Sequence, residues 1–443
     1  MGLNIMVITL GCPKNEVDSD HIKGELLSFG YNLVSNPKIA DVIIINTCGF
    51  IEFAKRESIE TILEYACYKK EGICKVLIVV GCLVQRYPDE LFKEIPEIDI
   101  LLGVNNLSKI PEEINEFTSG KRLVEVSKPL AYVKEELKRI EPLLPYAYLK
   151  ISDGCNNKCT YCAIPSIKGN YQSLPINKLV EEAKFLASKG VKEIILVGQD
   201  TSDYGVDIYG ERKLPELILK LSKIEQLDWI RLIYIQPSGF SEELLAVMAN
   251  NPKVCHYIDL PFQHSSKKIL NIMGRKGSVD DYLDLIKKIR GHLPNLVIRS
   301  SLIVGFPGES DKDFEELLDF TKLAQLDYIG VFEFSAEEGT KAATLPSQVS
   351  NKIKRERYHQ LTTLQDSIAF EKNRRHQGQE MKVLIESFES DAVFLGRNQY
   401  QSPDIDGLVY IKNNKEKTLK TGTFASAKIV GVDGYDLVGE VEC

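Results

Sequence analysis

Cysteine is the residue through which this chain can do metal chemistry, and its cysteines fall into two patterned sets. Cys155, Cys159 and Cys162 share one short stretch, Gly154-Cys155-Asn156-Asn157-Lys158-Cys159-Thr160-Tyr161-Cys162. Three thiolates on one loop can hold three irons of a 4Fe-4S cube and leave the fourth iron open, whereas a cluster used only for electron transfer normally takes four cysteines. A zinc site is the rival reading, but zinc usually recruits a fourth Cys or His at matching spacing, and none follows nearby. The second set is dispersed. Cys12, Cys48 and Cys82 each end an apolar, β-branched segment: Met6-Val7-Ile8-Thr9-Leu10-Gly11-Cys12, Val42-Ile43-Ile44-Ile45-Asn46-Thr47-Cys48 and Val76-Leu77-Ile78-Val79-Val80-Gly81-Cys82. Any one of them alone reads as a small buried hydrophobe, but their shared setting favours ligation. Cys67, Cys74, Cys255 and Cys443 lack such placement and read as structural or incidental thiols.

The elements that must position these thiols follow from periodicity. Helical stretches at 18–29, 53–68 and 88–95 separate the three apolar segments, a βαβαβ pattern with continuous runs suited to buried parallel strands. Ligands of open α/β sheets bind at the carboxyl ends of the strands, so three cysteines are aimed at one place. The rhythm is lost over about 117–145, which predicts an N-terminal α/β domain at 1–118 and a linker at 119–145. Six apolar strands then follow at 147–151, 193–198, 229–235, 257–263, 297–305 and 328–335, alternating with helical patterns. They predict a partial (β/α)6 TIM-type barrel over 146–345 with its site at the strand ends. A helical connector at 346–376 leads to short strands at 381–386, 407–411 and 424–432, read as a small all-β barrel over 377–443. The fold class is α/β.

Composition bounds the rest. A chain of 443 residues exceeds one core, so two or three domains are expected. With 44% hydrophobic and 27% charged residues it is an ordinary globular protein. The first residues carry no signal-peptide pattern and no run is long enough to span a membrane, which gives a cytoplasmic reading. In that compartment ten cysteines point to metal rather than to disulfides. The net charge of −8 argues against a surface committed to nucleic acid.

Less specific signals surround the loop. In Ser301-Leu302-Ile303-Val304-Gly305-Phe306-Pro307-Gly308-Glu309 the glycines Gly305 and Gly308 let backbone approach a ligand, or simply make a tight turn. Gln199 and Asp200 close the second barrel strand and could touch cofactor or substrate. His264 reads as a hydrogen-bonded structural histidine.

The stretch from Gly154 to Cys162 resembles the loop of the radical S-adenosylmethionine superfamily, including the aromatic residue before the last cysteine. Gly11-Cys12-Pro13-Lys14-Asn15, Asn46-Thr47-Cys48 and Gly81-Cys82 resemble the methylthiotransferases within it. That resemblance covers essentially the whole chain and implies two 4Fe-4S clusters, one on Cys155, Cys159 and Cys162 and one on Cys12, Cys48 and Cys82. It also implies S-adenosylmethionine on the open iron of the first, with Tyr161 at the adenine-contacting position and Gln199, Gly305, Gly308 and Glu309 as further cofactor contacts. The implied reaction inserts sulfur carried by the second cluster at an unactivated carbon, then methylates it. Pro13-Lys14, Cys48-Gly49-Phe50-Ile51 and Gly198-Gln199-Asp200-Thr201 look like the branch that modifies an aspartate of ribosomal protein uS12, free or in the small subunit. The alternative is the branch that modifies adenosine of transfer RNA, which typically has glutamine and methionine where Pro13 and Lys14 stand. Neither the electron donor nor the sulfur source can be read. The last barrel resembles the TRAM domain. With eleven acidic and seven basic residues, its charge of −4 suits a basic protein better than nucleic acid. It is therefore expected to dock uS12 at the opening of the central barrel through acids such as Glu386, Asp404 and Asp406.

Overall fold

The computed structural model describes residues 2–117, 121–127, 138–390, 392–412 and 419–441. The expected 118/119 boundary, residues 128–137 of the expected linker and Cys443 lie outside the described residues. The first unit is a six-stranded sheet in which every pairing is parallel. The strands Asn4–Thr9, Val42–Thr47 and Val76–Gly81 are adjacent at its centre. The last two are buried throughout, as their unbroken apolar runs require. Three short strands, Asn32–Leu33, Ile100–Leu102 and Leu123–Glu125, extend the edges beyond what periodicity indicated, being too short to show a pattern. Leu123–Glu125 falls inside the expected linker, and Lys138 and Ile140 also bond back to Glu25 and Asp20 on the first helix.

The central unit is a six-stranded parallel sheet whose consecutive strands are neighbours: Tyr146–Lys150, Glu193–Val197, Trp229–Leu232, Val254–Asp259, Val297–Val304 and Tyr328–Glu333. The outer helices are punctuated by sequence. Ser241, Ser278, Ser310 and Ser350 each accept an amide of the first helical turn, and Ser310 with Asp313 forms a capping box. The fourth strand begins and ends earlier than its apolar run suggested. Pro261 has no amide to continue the ladder, and Gln263, at φ +69°, keeps only an isolated bridge to Leu302.

Alternate strand residues split into two cores. Leu149, Ile194, Leu196, Ile230, Leu232 and Ile258 face the helices, while Tyr148, Ile195, Val197, Trp229, Tyr257 and Tyr328 line the lumen. Val17 of the first helix and Leu384 of the C-terminal barrel belong to that lumen core. Both flanking units therefore complete the open barrel. The long helix Asn351–Arg374 leads to a closed five-stranded barrel, with strands Glu380–Ser390, Val393–Asn398, Val409–Lys412, Phe424–Asp433 and Asp436–Val441.

The position of this last barrel corrects one expectation. It docks where the central strands begin: Arg397 meets Glu193, Phe424 meets Trp229 and Tyr435 meets Tyr328. It is not at the opening where the cysteines lie. Of the acids expected on its docking surface, Glu386 and Asp406 turn inward, and the exposed Asp404 is tied to the central barrel. Glu386 pairs with Arg397, Asp404 accepts the Tyr148 hydroxyl at 3.0 Å, and the Asp406 carboxylate is buried 3.6 Å from Arg299 Nε.

Candidate functional site

The dispersed cysteines converge at the carboxyl edge of the N-terminal sheet. Cys12 caps the helix Pro13–Ser28, Cys48 follows the second central strand and Cys82 opens the helix Cys82–Arg86. Glycine makes this approach possible. Gly11 has φ +95°, and a Cβ there would lie 2.6 Å from Cys48 Cβ. Gly81 has φ +100°, and its Cβ would lie 2.6 Å from Asn46 Oδ1. Asn15 Nδ2 ties the loops together by donating to Leu10 O at 2.9 Å and Thr47 O at 3.1 Å. Burial pushes the Cys48 thiol up, with Cys12 adding to the effect. Burial also pushes Cys82 up to about 12, against Lys168 and with Cys12 and Cys48 adding.

The second triad sits on the loop after the first central strand. Each sulfur receives one nitrogen donor: Asn157 Nδ2 to Cys155 at 3.4 Å, Arg275 Nη1 to Cys159 at 3.9 Å, and the Ile164 amide to Cys162 at 3.5 Å. Asn157 is held in turn by Asp200 at 2.8 Å, and Arg275 by Gln236 and the Pro261 carbonyl, both at 2.6 Å. Thr160 anchors the loop through its amide and hydroxyl, each donating at 2.9 Å, to Met273 O and Ile272 O. Donors aimed at sulfur stabilise thiolate and tune the potential of a bound cluster. Burial pushes the Cys162 thiol up to about 12, opposed by the Ile164 amide and reinforced by Cys159 and Cys155.

The triads face each other across the domain junction, where Cys82 packs with Val104, Ala163 and Ile167, just beyond Cys162. A buried ionic network closes one side. Lys150 and Lys168 each bridge Asp18 of the first helix and Asp153 of the loop, the latter at 3.3 and 3.4 Å. Gln199 Nε2 also donates to Asp153 at 2.9 Å. The other side is clamped by Glu337, which takes Arg86 and Lys55, both at 3.2 Å, and the Glu52 amide at 2.8 Å.

The expected cofactor contacts divide. Tyr161 packs edge-on against Phe306, centroids 6.2 Å apart, and Gln199 keeps a buried carbonyl oxygen with no hydrogen-bond partner among the described residues. The 305–309 turn is held by protein contacts. Gly305, at φ +71°, is crossed by Lys354, whose Cγ would lie 2.3 Å from a Cβ, and Gly308 takes φ +82°. Glu309 accepts the Phe306 amide at 3.0 Å and Arg357 at 2.8 Å. His264 Nδ1 accepts the amides of Ser265 and Ser266, both at 2.9 Å, which is the structural role expected of it.

The chemistry of the donor set suits sulfur-bridged iron. There are two open triads of thiols, one with a nitrogen donor on every sulfur.

Family models match in the order of the three units: the uncharacterized protein family UPF0004 at 4–103, the radical SAM superfamily at 149–321 and the TRAM domain at 378–441. A ribosomal protein uS12 methylthiotransferase RimO of Clostridium perfringens is 47% identical over 98% of this chain and 97% of its own. The RimO of Acetivibrio thermocellus is 46% identical over 100% and 99%. The chain belongs to the RimO family. Among solved structures, the radical S-adenosylmethionine methyltransferase TsrM of Kitasatospora setae, with cobalamin and a [4Fe-4S] cluster bound, matches at a TM-score of 0.54. It is 15% identical and covers 75% of each chain, a likeness of fold.

Several residues that build this RimO-family site escaped sequence reading. Asn157 and Arg275 were silent as sulfur donors, because Arg275 lies 113–120 residues from the loop it serves. Lys150 and Lys168 offered a signal, since a lysine at the end of the apolar strand Tyr146–Lys150 needs a buried counter-charge. Lys14 stood out in sequence only as part of a branch motif, with no partner indicated. Its ammonium stands 4.2 Å from the centroid of the Tyr234 ring, at the same junction.

Proposed function

We propose that this enzyme methylthiolates the β-carbon of an aspartate in ribosomal protein uS12, using two 4Fe-4S clusters and S-adenosylmethionine. The observation that carries the reading is the pairing of two cysteine triads across one junction, in a chain whose relatives bear the uS12 methylthiotransferase name. When loaded, the loop cluster and S-adenosylmethionine supply radical chemistry at an unactivated C–H bond, and the second cluster supplies sulfur. Cys155, Cys159 and Cys162 are the ligands of the first cluster, and Cys12, Cys48 and Cys82 those of the second. Asn157, Arg275 and the Ile164 amide orient the loop sulfurs and stabilise their charge. Tyr161 and Gln199 border the cofactor position, Gln199 through its free carbonyl oxygen, and Gly305, Gly308 and Glu309 shape the wall behind Tyr161.

The ionic network of Asp18, Lys150, Asp153 and Lys168 holds the two triads at a fixed spacing and keeps bulk water from one side of the gap. A β-carbon beside a carboxylate is too weakly acidic for ordinary base catalysis near neutral pH, which is the chemical reason for a radical route. The test is mass spectrometry of uS12 and of transfer RNA nucleosides from cells lacking and then regaining the gene. Loss and return of a methylthio group on uS12 aspartate supports the reading. A change confined to methylthio-adenosine overturns it.

A further inference from the structure

Lys14 stands apart from the other lysines at the junction. Lys150 and Lys168 share the carboxylates of Asp18 and Asp153, so their charges are matched within the protein. Lys14 makes no hydrogen bond or ion pair among the described residues, and its contact is the face of Tyr234. It also sits in the first turn of the helix Pro13–Ser28, where the helix dipole disfavours a cation. Cys12 and Asp153 favour its charge from a distance but accept no hydrogen bond from it, so its ammonium donors are open to an anion that arrives from outside.

Its neighbour Tyr234 is held with equal care. The residue has φ +60°, a conformation disfavoured for a bulky side chain. It is locked there by Asp259 Oδ2 on its amide at 3.1 Å and by Thr201, which donates to its carbonyl through the amide at 3.0 Å and the hydroxyl at 3.1 Å. The Tyr234 hydroxyl, like the Lys14 ammonium, donates to no described residue. Two spare donors, one from each domain, thus meet beside Cys12.

We propose that Lys14, with the Tyr234 hydroxyl, binds the side-chain carboxylate of the incoming aspartate and so selects a carboxylate-bearing substrate. This rests on the uS12 reading above. A carboxylate carbon is bonded directly to the β-carbon, so an anchored carboxylate places the reacting carbon one bond away, close to the sulfur-bearing triad. Lys14 is then a positioning residue for substrate, and uniform stabilisation of the fold is not its role.

The test measures binding of reconstituted enzyme to purified uS12 and to uS12 carrying asparagine at the target position, with iron content determined on the same samples. The expected result is that Lys14→Met weakens binding of native uS12 at least about tenfold, as loss of a charge-assisted hydrogen bond requires. The asparagine form should bind wild type and Lys14→Met equally weakly, the non-additivity of groups in contact. Lys14→Arg should restore most of the affinity. Equal weakening of both uS12 forms by Lys14→Met, or loss of iron, overturns the proposal, as does wild-type binding indifferent to the asparagine change. If wild type modifies transfer RNA and not uS12, the reading beneath it fails instead.

Discussion

Arg86 of the N-terminal domain donates to the Glu337 carboxylate of the central domain at 3.2 Å, and the same guanidinium nitrogen holds the Gly49 carbonyl at 2.6 Å, one residue beyond Cys48. Lys55 approaches the same carboxylate oxygen at 3.2 Å. The clamp therefore ties the spacing of the two triads to a single buried acid. Glu337→Ala leaves the buried Arg86 without its counter-charge and Lys55 with only the exposed Glu52, at 2.7 Å, and should destabilise the protein by about 3 kcal/mol. It should also reduce methylthiolated product more than it reduces reductive cleavage of S-adenosylmethionine, whose residues lie within the central domain. Chemical denaturation and product analysis on the same preparation check both.

Gly11→Ala should disable the N-terminal triad without unfolding its sheet. The new Cβ would meet Cys48 Cβ at 2.6 Å and Sγ at 3.0 Å, at a φ of +95° that alanine avoids. The strain, about 1–3 kcal/mol, is relieved by moving Cys48 away from Cys12. Far-UV circular dichroism should be nearly unchanged while iron bound after reconstitution falls by about half.

How much of this was legible follows from the range over which each signal acts. Cys12, Cys48 and Cys82 could be brought together from sequence, because a parallel sheet sends every strand end to one edge and the βαβ pattern is local. The loop triad was legible from spacing alone. The order of the barrel strands was legible for the same reason, as each lies beside the next in sequence. The C-terminal barrel showed its class but not its function. Counting its acids treated Glu386 and Asp406 as surface charge, whereas Glu386 faces Arg397 of the neighbouring strand, which itself meets Glu193 across the seam, and Asp406 faces Arg299 of the central domain. The cross-seam pairings, Arg397 with Glu193 and Asp406 with Arg299, join residues far apart in the chain, and no periodicity reports them. The Lys14–Tyr234 contact is of the same kind.

Glu193 is the keystone of that seam. Its carboxylate takes Arg231 Nε at 2.5 Å and Arg397 Nη2 at 2.7 Å, and all three side chains are fully buried. Removing the acid leaves buried Arg231 with no carboxylate, beside an Arg397 that keeps only Glu386. Glu193→Ala should cost about 3–5 kcal/mol, more than Arg397→Met, which leaves Arg231 and Glu193 still paired. Urea denaturation of the two variants gives the order.

Two histidines at the same seam make it sensitive to acid. His376 stacks on Tyr400 with centroids 5.6 Å apart, and His256 approaches the same ring at 6.5 Å. Burial holds His256 below its ordinary value. Burial does the same for His376, against Gln379 and Asp327 and aided by Lys372 and Arg375. Below pH about 6.5 the unfolded chain therefore binds more protons than the folded one, so stability present above that pH declines as pH falls. Melting temperature should drop by a few degrees between pH 7.5 and 5.5. In His256→Gln/His376→Gln the dependence should be shallower.

The assignment of the six cysteines is tested by separating the two triads. Reconstituted protein should hold about eight irons as two cubane clusters. Alanine at Cys155, Cys159 and Cys162 should halve the iron and abolish reductive cleavage of S-adenosylmethionine, because no thiolate then remains on the loop to hold the cluster. Alanine at Cys12, Cys48 and Cys82 should halve the iron as well, yet leave that cleavage largely intact and abolish sulfur insertion into uS12. Alanine at Cys74 and Cys255, which are buried away from both triads in the apolar cores, should leave iron content at the wild-type level. Full iron in the Cys12/Cys48/Cys82 variant would mean that those thiols only pack the strand ends, and the sulfur-donating role would have to be sought elsewhere in the chain.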